Sequence, residues 1–356
     1  MEVIKYLLLP FLVSLLVTPL VKVIATKLEV YAQMNERTVH NGKIARIGGV
    51  SIFLAFVICL SFFMETDDTI NGILIGGAIM FVGGLVDDML TLDPKSKLLF
   101  QAAAAIVLMY MSNVSLDVIR LPFNIRIDMG VISAIITFLW IIGITNAVNL
   151  IDGLDGLAGG ISTIILIVIA TMAVVEGRVD VQILALTLAG AILGFLIFNF
   201  HPASIFMGDC GALFLGFIIA SISLLGFKSS TIMTLALPIL LLAVPIIDTL
   251  GAILRRKLKG HKFSQADKDH IHHILMRKFG HRNTVLILYI VTALFGFTAY
   301  MYLINKNTGF ILLFIIAICV EMFIEVSCMI SPSYHPIISI GKRIKKQFTR
   351  RKGNLK

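Results

Sequence analysis

The sequence predicts an all-α, polytopic integral membrane protein with about 11 transmembrane helices. Of its 356 residues, 58% are hydrophobic and 14% are charged, whereas soluble globular chains carry roughly 25% charged residues. The hydrophobic residues form repeated runs of roughly 17 to 22, the length that crosses a bilayer as a helix. A transmembrane β-barrel is disfavoured because its segments are about 10 residues long and alternate in polarity.

The apolar runs are joined by short loops, which predicts one transmembrane domain over residues 1–330, followed by a basic cytoplasmic tail over 331–356. The first run is not followed by a small-residue cleavage site, so we interpret it as a membrane helix rather than a removed signal peptide. The predicted spans are roughly 3–21, 47–64, 70–86, 97–112, 130–148, 159–176, 181–198, 209–227, 232–254, 284–303 and 309–329.

Lysine and arginine predict the orientation, because the cytoplasmic loops of membrane proteins are enriched in both. When the loops are divided into two alternating sets, one set holds 24 of the 30 Lys and Arg residues and the other holds 6. We therefore expect the N-terminus outside and the C-terminus in the cytoplasm. The net charge of +9 reflects these loops and a tail lying against anionic membrane lipids, so no nucleic-acid partner is expected.

Five polar clusters interrupt the apolar sequence, and all five fall in loops predicted to be cytoplasmic. No predicted external loop has a comparable cluster. This one-sided distribution predicts a single polar site on the cytoplasmic face, since ionisable residues in membrane segments are functional by default. The clusters are “VHNGKIARIGG”, “GGLVDDMLTLDPKSK”, “NAVNLIDGLDGLAGG”, “FNFHPASIFMGDCGA” and “GHKFSQADKDHIHHILMRKFGHR”.

The composition of these clusters predicts a site for a hard cation and a phosphorylated substrate. Aspartate and amide oxygens without cysteine suit Mg²⁺, with Mn²⁺ as the alternative, better than zinc. Mg²⁺ commonly leaves coordination positions for phosphate oxygens, and nearby basic side chains also suit phosphate groups. The pattern therefore indicates metal-assisted chemistry in which one substrate arrives from the lipid and the other from the cytosol.

The aspartates also have structural interpretations, which the sequence leaves open. Asp87 and Asp88 could end a helix at the membrane interface. Asp152 and Asp155, with the neighbouring glycines, could form a cap or turn. Asp209 could be the N-cap of the next span, which is compatible with metal binding.

The histidines are similarly ambiguous. The sequence “HIHH” at 270–273 could hold zinc or could be a solvated basic loop, although the spacing lacks a second helical turn of ligands. His201 and His281, taken individually, are interpreted as structural or solvated.

Four long motifs and a short one resemble those of a known family. The long motifs are “GLVDDMLTLDPKSKLLFQ”, “NAVNLIDGLDGLAGG”, “FNFHPASIFMGDCGALFLG” and “DHIHHILMRKFGH”, and “ARIGG” precedes the second span. In this order they resemble the polyprenyl-phosphate N-acetylhexosamine-1-phosphate transferases, of the glycosyltransferase 4 type. The resemblance extends from about residue 40 to 282 and implies ten to eleven helices with a cytoplasmic active site.

Two details resemble one branch of the family. In the last loop, the peptidoglycan branch has a motif similar to “PIHHH”, where this chain has “HIHH”. That branch also has a lysine soon after its acid pair, where this chain has “DDMLTLDPKSK”. Both features of this chain resemble the branch that transfers GlcNAc-1-phosphate. The resemblance implies transfer of GlcNAc-1-phosphate from UDP-GlcNAc to undecaprenyl phosphate, which begins a cell-envelope glycopolymer of the wall teichoic acid or O-antigen type.

The resemblance also implies roles for individual residues. Asp209 is similar to the family's direct Mg²⁺ ligand, with Asn149 and Asp152 completing or orienting that site. Asp155 and Asn199 are similar to residues that contact the uridine.

Further roles concern the phosphates. Asp87 is expected to orient or deprotonate the lipid phosphate, with Asp88 beside it. Lys97, with Lys43 or Arg46, is expected to meet phosphate groups.

The remaining roles fall on aromatic rings. Phe206 is expected to stack on the uracil. His272 and His273 are expected to bind the diphosphate, with His270 close by.

Other functions stay open at this stage. A sibling enzyme of peptidoglycan synthesis would use UDP-N-acetylmuramoyl-pentapeptide as donor. An ion-coupled secondary transporter would use the acids as a relay, but transporter sites usually lie near the bilayer midplane. A scaffold protein would need none of these residues. The apolar first and last spans are candidate surfaces for a homodimer.

Overall fold

The computed structural model describes residues 2–31, 44–65, 67–112, 114–120, 126–227, 239, 242–258 and 271–326. Over these residues the chain forms twelve helices and one pair of short strands. The elements are α1 (Glu2–Lys27), α2 (Gly49–Phe63), α3 (Asp68–Leu90), α4 (Pro94–Ser112), β1 (Val118–Arg120), β2 (Arg126–Asp128), α5 (Ile132–Ile151), α6 (Leu157–Val175), α7 (Val179–Asn199), α8 (Gly208–Phe227), α9 (Ala243–Leu258), α10 (Ile271–Phe279), α11 (His281–Ile304) and α12 (Lys306–Val326).

Each predicted span overlaps one of these helices, but seven of the described helices are long and apolar enough to cross a membrane: α1, α3, α5, α6, α7, α8 and α11. Helix α2 is apolar but only 15 residues long. The short helix α10 lies in a stretch that the sequence predicts as a loop. The chain is therefore a multi-pass membrane protein, while eleven spans and their orientation remain predictions.

The all-helical prediction is correct apart from β1 and β2, which lie in the predicted loop between the fourth and fifth spans. The strands are antiparallel, with Val118 opposite Asp128 and Arg120 opposite Arg126. The hydroxyl of Thr137 accepts a hydrogen bond from the Leu116 N–H over 2.9 Å and ties this loop to α5. Apolar and polar residues alternate in “VSLDV” and “FNIRID”, which is typical of strands, but each stretch is short and lies in a loop between two long apolar runs.

Helix α8 is the centre of the bundle, because 94% of its most apolar stretch is buried. Helices α3 and α5 pack against α8, α4 packs against α3, and α6 packs against α7 and α11. Helix α1 lies outside α7 and is only 22% buried over its most apolar stretch, as expected for a helix that faces lipid.

Glycine brings α3 and α8 together beside the polar ends of both helices. A Cβ on Gly84 would lie 2.4 Å from the Asp209 carbonyl oxygen and 2.5 Å from Cys210 Cα. Such close backbone approach is typical of small residues at membrane helix interfaces. The contact fixes the end of α3, which carries Asp87 and Asp88, against the start of α8.

Candidate active site

Polar side chains from four helix ends and one extended segment meet at one end of the bundle. Asp87 and Asp88 come from the end of α3, and Asn149 from the end of α5. Lys97 lies in the first turn of α4 and Asp209 in the first turn of α8. The structure thus joins residues that the sequence places in separate motifs.

The extended segment at 44–48, which carries Arg46, is fixed to the segment before α8 by backbone hydrogen bonds. The Gly48 N–H donates to the Phe206 carbonyl over 2.8 Å, and the Phe206 N–H donates to the Ala45 carbonyl over 2.8 Å. A third bond joins the Gly49 N–H to the Met207 carbonyl, also over 2.8 Å. These bonds hold the Arg46 guanidinium beside the aspartates.

Asp88 caps helix α8 from a different helix. Its two carboxylate oxygens accept the backbone N–H groups of Asp209 and Cys210, each over 2.9 Å. The Arg46 Nε lies 3.0 Å from the same carboxylate, whose side chain is fully buried. The N-terminal amides of α8 are therefore satisfied by Asp88, and the Asp209 side chain is directed elsewhere.

Gly208 is required at this junction. Its φ of +74° lies in the left-handed region that glycine adopts without strain. A Cβ there would lie 2.0 Å from the Arg46 carbonyl oxygen and 2.5 Å from an Asp88 carboxylate oxygen.

Asp209 is surrounded by groups that donate hydrogen bonds. Lys97 Nζ lies 3.0 Å from Asp209 Oδ2 and also forms an ion pair with Asp87. The Arg46 guanidinium and the Asn149 amide each lie 3.4 Å from Asp209 Oδ1. Asp87 also accepts the Leu92 N–H over 2.7 Å, which holds its carboxylate at the end of α3.

Asp152 differs from the other carboxylates of this cluster in its contacts. Its carboxylate makes no hydrogen bond or ion pair with another residue in the described ranges, and it keeps some contact with solvent. The surrounding protein and the nearby Asp209 carboxylate raise the pKa of Asp152 to about 7. Burial alone would lower the pKa of Arg46, but Asp88 and Asp209 raise it overall.

The charges of this cluster fit a divalent cation. Four carboxylates (Asp87, Asp88, Asp152 and Asp209) face two cationic side chains (Arg46 and Lys97), a formal excess of two negative charges. Oxygen ligands without thiolate are what Mg²⁺ or Mn²⁺ prefers. Asp209 and Asp152 offer carboxylate oxygens at this cluster, and Asn149 contacts Asp209 through its amide nitrogen.

The next acid, Asp155, has different surroundings. Its Oδ2 accepts the Ala203 N–H over 3.1 Å and lies 2.9 Å from His201 Nδ1. Asn199 is equally engaged, because its Oδ1 accepts the Gly156 N–H over 3.0 Å and its Nδ2 donates to the Ile205 carbonyl over 2.9 Å. Asp155 and Asn199 thus organise the backbone around the turn before α6.

Asp155, His201 and His281 also form a possible metal-binding triad, with ligand atoms within 4.8 Å of one another. From the sequence, each histidine is expected to be structural or solvated, and nothing in the spacing of the two predicts that they meet. The signal available was only that both lie in the clusters predicted to be cytoplasmic.

Of the remaining predicted residues, some lie within the described ranges and others lie outside them. Phe206 is half-buried between the backbone bonds that hold the segment at 44–48. His272 and His273 lie in the first turn of α10. Lys43 and His270 lie outside the described residues, as does the basic tail.

Comparison with known proteins identifies the family. The sequence profile of glycosyl transferase family 4 matches residues 70–227, which include both the α3 and the α8 parts of the cluster. The probable undecaprenyl-phosphate N-acetylglucosaminyl 1-phosphate transferase of Bacillus subtilis strain 168 is 40% identical over 349 residues, covering 95% of this chain and 96% of the relative. This chain belongs to glycosyl transferase family 4.

Two further relatives are similar to this family 4 transferase over different shares of its length. The undecaprenyl-phosphate alpha-N-acetylglucosaminyl 1-phosphate transferase of Thermotoga maritima is 29% identical over 313 residues, covering 88% of this chain and 94% of the relative. The phospho-N-acetylmuramoyl-pentapeptide-transferase of Listeria monocytogenes is 32% identical over 169 residues, covering 47% and 50%. The transferase is thus an enzyme of the sugar-1-phosphate transferase type.

Proposed function

We propose that this transferase moves GlcNAc-1-phosphate from UDP-GlcNAc to undecaprenyl phosphate, giving undecaprenyl-diphospho-GlcNAc and UMP. Two relatives that match over most of both chains are named as undecaprenyl-phosphate N-acetylglucosaminyl 1-phosphate transferases, which supports this reaction. The observation that carries the proposal is the cluster around Asp209, in which acids and cations from four helix ends and one segment converge. The product would begin a cell-envelope glycopolymer of the wall teichoic acid or O-antigen type.

The location proposed for this site is the cytoplasmic face of the bacterial plasma membrane. The distribution of Lys and Arg between the loops supports this side. The site lies at helix ends, where a nucleotide can enter from the cytosol while a lipid phosphate enters from the membrane.

The reaction joins two anionic phosphates, so offsetting their repulsion is the main requirement. An oxygen of the lipid phosphate forms a bond to the β-phosphorus of UDP-GlcNAc, and the bond from that phosphorus to the bridging oxygen breaks. UMP leaves with the bonding electrons. Arg46 and Lys97 offset the charge and align the two groups, and positioning then supplies much of the rate.

Asp209, Asp152 and Asn149 would hold Mg²⁺, with Mn²⁺ as the alternative ion, in this proposal. The bound cation supplies charge neutralisation for the diphosphate and the departing UMP. Asp87 orients the lipid phosphate. Because a phosphate monoester has a second pKa near 6, its attacking oxygen is already mostly deprotonated at pH 7, and a strong base is not required.

In a rival mechanism, Asp87 would be the nucleophile and would form a covalent intermediate. Its carboxylate is engaged by Lys97 and by the Leu92 N–H, which restrains it as a nucleophile and supports direct displacement. Phosphate or sugar phosphate trapped on an aspartate in a single turnover would contradict direct displacement.

The uridine is expected beside the turn before α6. Phe206 is half-buried close to this turn and is proposed to stack on the uracil. Asp155 and Asn199 already form internal hydrogen bonds, so they shape this pocket through the backbone as well as through any contact with the nucleoside. His272 and His273 are proposed to bind the diphosphate.

The second candidate donor is UDP-N-acetylmuramoyl-pentapeptide, because a relative named for that substrate matches about half of the chain. The deciding experiment uses purified protein, undecaprenyl phosphate and Mg²⁺ with three donors tested separately: UDP-GlcNAc, UDP-GalNAc and the pentapeptide nucleotide. The donor's β-phosphate is radiolabelled, and both UMP and labelled lipid are measured.

We expect UMP and labelled lipid in equal amounts from UDP-GlcNAc alone. Products from the pentapeptide nucleotide alone would overturn the donor assignment. Products from no donor, with folded protein, would contradict the proposed function and favour transport.

A further inference from the structure

His201 and His281 have no role in the proposed transfer, yet both contact the turn that carries Asp155. The backbone N–H of Asp155 donates to Nε2 of His281 over 3.1 Å. The two imidazole rings stack with centroids 4.1 Å apart and planes 22° apart. With the contact between His201 and Asp155, these rings join three separate parts of the chain: the turn before α6, the loop after α7 and the start of α11.

The direction of the hydrogen bond determines the state of His281. A backbone N–H can only donate, so Nε2 must be the acceptor and carries no proton. A metal ion at Nε2 would displace this N–H and leave a buried donor unsatisfied. The contact therefore favours a hydrogen bond over a metal ligand at Nε2 of His281.

Helix α11 is fixed to the same turn at a second point. The Tyr289 hydroxyl, about two helical turns after His281, donates to the Gly156 carbonyl. A Cβ on Gly160 would lie 1.9 Å from the Tyr289 hydroxyl oxygen, so the two helices are in close contact here. The first part of α11 thus has a defined position relative to α6.

The position of α11 restrains the position of α10, because a single residue separates the two helices. That residue, Gly280, has a φ of +76°, and its N–H donates to the Met276 carbonyl over 2.9 Å. Its carbonyl accepts the Thr284 N–H over 3.2 Å. A rotation of α11 at His281 would therefore carry α10 with it.

We propose that His281, supported by His201, is a positioning residue that holds α10, and with it His272 and His273, in a fixed position relative to the turn before α6. This inference rests on the proposed function, since it gives α10 its diphosphate contacts. The chemistry required of residue 281 is a hydrogen-bond acceptor at the Nε2 position. The chemistry required of residue 201 is a donor at the Nδ1 position together with a flat face for stacking.

The test separates the acceptor from the ring with two substitutions at one position. His281→Gln places an oxygen near the Nε2 position, whereas His281→Phe keeps a stacking ring without an acceptor. Arg282→Lys, at the next and exposed position, is the matched control. Each full-length protein is purified in detergent and examined for hydrogen–deuterium exchange over residues 271–279 and for UMP release.

We expect His281→Phe to increase exchange over 271–279 and to lower kcat/KM about 10- to 100-fold, as small misplacements of catalytic groups do. His281→Gln should stay within about three-fold of the wild type in both, and Arg282→Lys should change neither. Equal exchange in all proteins, or a glutamine variant as defective as the phenylalanine variant, would overturn the proposal. If both variants are defective, and the purified wild type contains one zinc ion per chain that the variants lack, the metal centre is favoured instead.

The exchange measurement also separates this inference from the proposed function. The wild type could release no UMP while His281→Phe alone increases hydrogen–deuterium exchange over 271–279. In that case the junction stands and the transferase assignment fails. A double-mutant cycle tests the route of the effect: in a His273→Ala background, His281→Phe should cost much less activity than in the wild type. Full additivity would contradict action through α10.

Discussion

Asp152 and Asp155 lie three residues apart in one motif, yet their carboxylates have different surroundings. Asp152 joins the cluster around Asp209, while Asp155 accepts hydrogen bonds from the loop after α7. Asp87 and Asp88 differ in the same way, because Lys97 pairs with Asp87 and the first amides of α8 pair with Asp88. Residue type and spacing alone do not separate these roles.

The difference between Asp87 and Asp88 predicts different effects of the same substitution. Asp88→Ala leaves two buried helix amides without their acceptor and leaves Arg46 with only its longer contact to Asp209, so it should destabilise the protein by about 3–5 kcal/mol. Asp87→Ala should destabilise it much less, because Lys97 keeps its contact with Asp209. Both variants should lose transferase activity.

Thermal unfolding in detergent, measured together with UMP release, distinguishes the two residues. Equal losses of stability in the two variants would contradict the assignment of Asp88 as the cap of α8.

The excess of carboxylates predicts a strict requirement for a divalent cation. Removal of divalent cations with EDTA should abolish UMP release, and Mg²⁺ should restore it because the donor set is oxygen-rich. The measurement is the initial rate after chelation and stepwise addition of Mg²⁺ or Mn²⁺. Full activity in EDTA would show that Arg46 and Lys97 suffice without a metal.

At the scale of helices, the site depends on how closely α3 and α8 approach. Gly84 lies against the backbone of Asp209 and Cys210, and Gly208 lies against Arg46 and Asp88. Glycine at these positions lets helix ends that carry like charges meet without intervening side chains.

Gly84→Ala should therefore separate α3 from α8 and lower activity by at least about 10-fold, since small displacements of aligned groups are costly. Gly143→Ala is the matched control, because a Cβ on Gly143 meets nothing within 4 Å. That control should be neutral or slightly stabilising, as alanine is the better helix former. Similar behaviour of the two variants in UMP release and thermal unfolding would contradict the close contact.

The helical fold and the grouping of Asp87, Asn149 and Asp209 could be predicted from the sequence, because each of their motifs lies at the end of an apolar run. The cap that Asp88 forms on α8 and the bond from the Asp155 N–H to His281 could not be predicted, since these bonds join residues 121 and 126 positions apart. Such pairs depend on helix packing, which hydrophobic periodicity does not specify.

At the scale of the whole molecule, the site lies at one end of a bundle that surrounds α8. The Lys and Arg distribution predicts that this end is cytoplasmic. One donor from the cytosol and one acceptor from the lipid can reach such a site only if the orientation is as predicted.

Cysteine labelling in intact cells tests the orientation. In a protein whose four native cysteines are replaced, Glu65→Cys lies between α2 and α3 and Lys95→Cys lies at the start of α4. Both positions are exposed. A membrane-impermeant maleimide should label position 65 in intact spheroplasts and position 95 only after lysis. The reverse pattern would place the site outside.

One comparison of rates decides whether the cluster around Asp209 carries out the transfer of the sugar phosphate. UMP release from UDP-GlcNAc is measured with undecaprenyl phosphate and Mg²⁺ for the wild type, Asp209→Asn and the control Glu65→Gln, whose side chain is exposed between α2 and α3. We expect Asp209→Asn to be slower by at least about 100-fold, the scale of lost electrostatic stabilisation, with unchanged thermal unfolding and a normal control. A folded Asp209→Asn protein that releases UMP at the wild-type rate would show that the Asp209 cluster does not carry out the transfer.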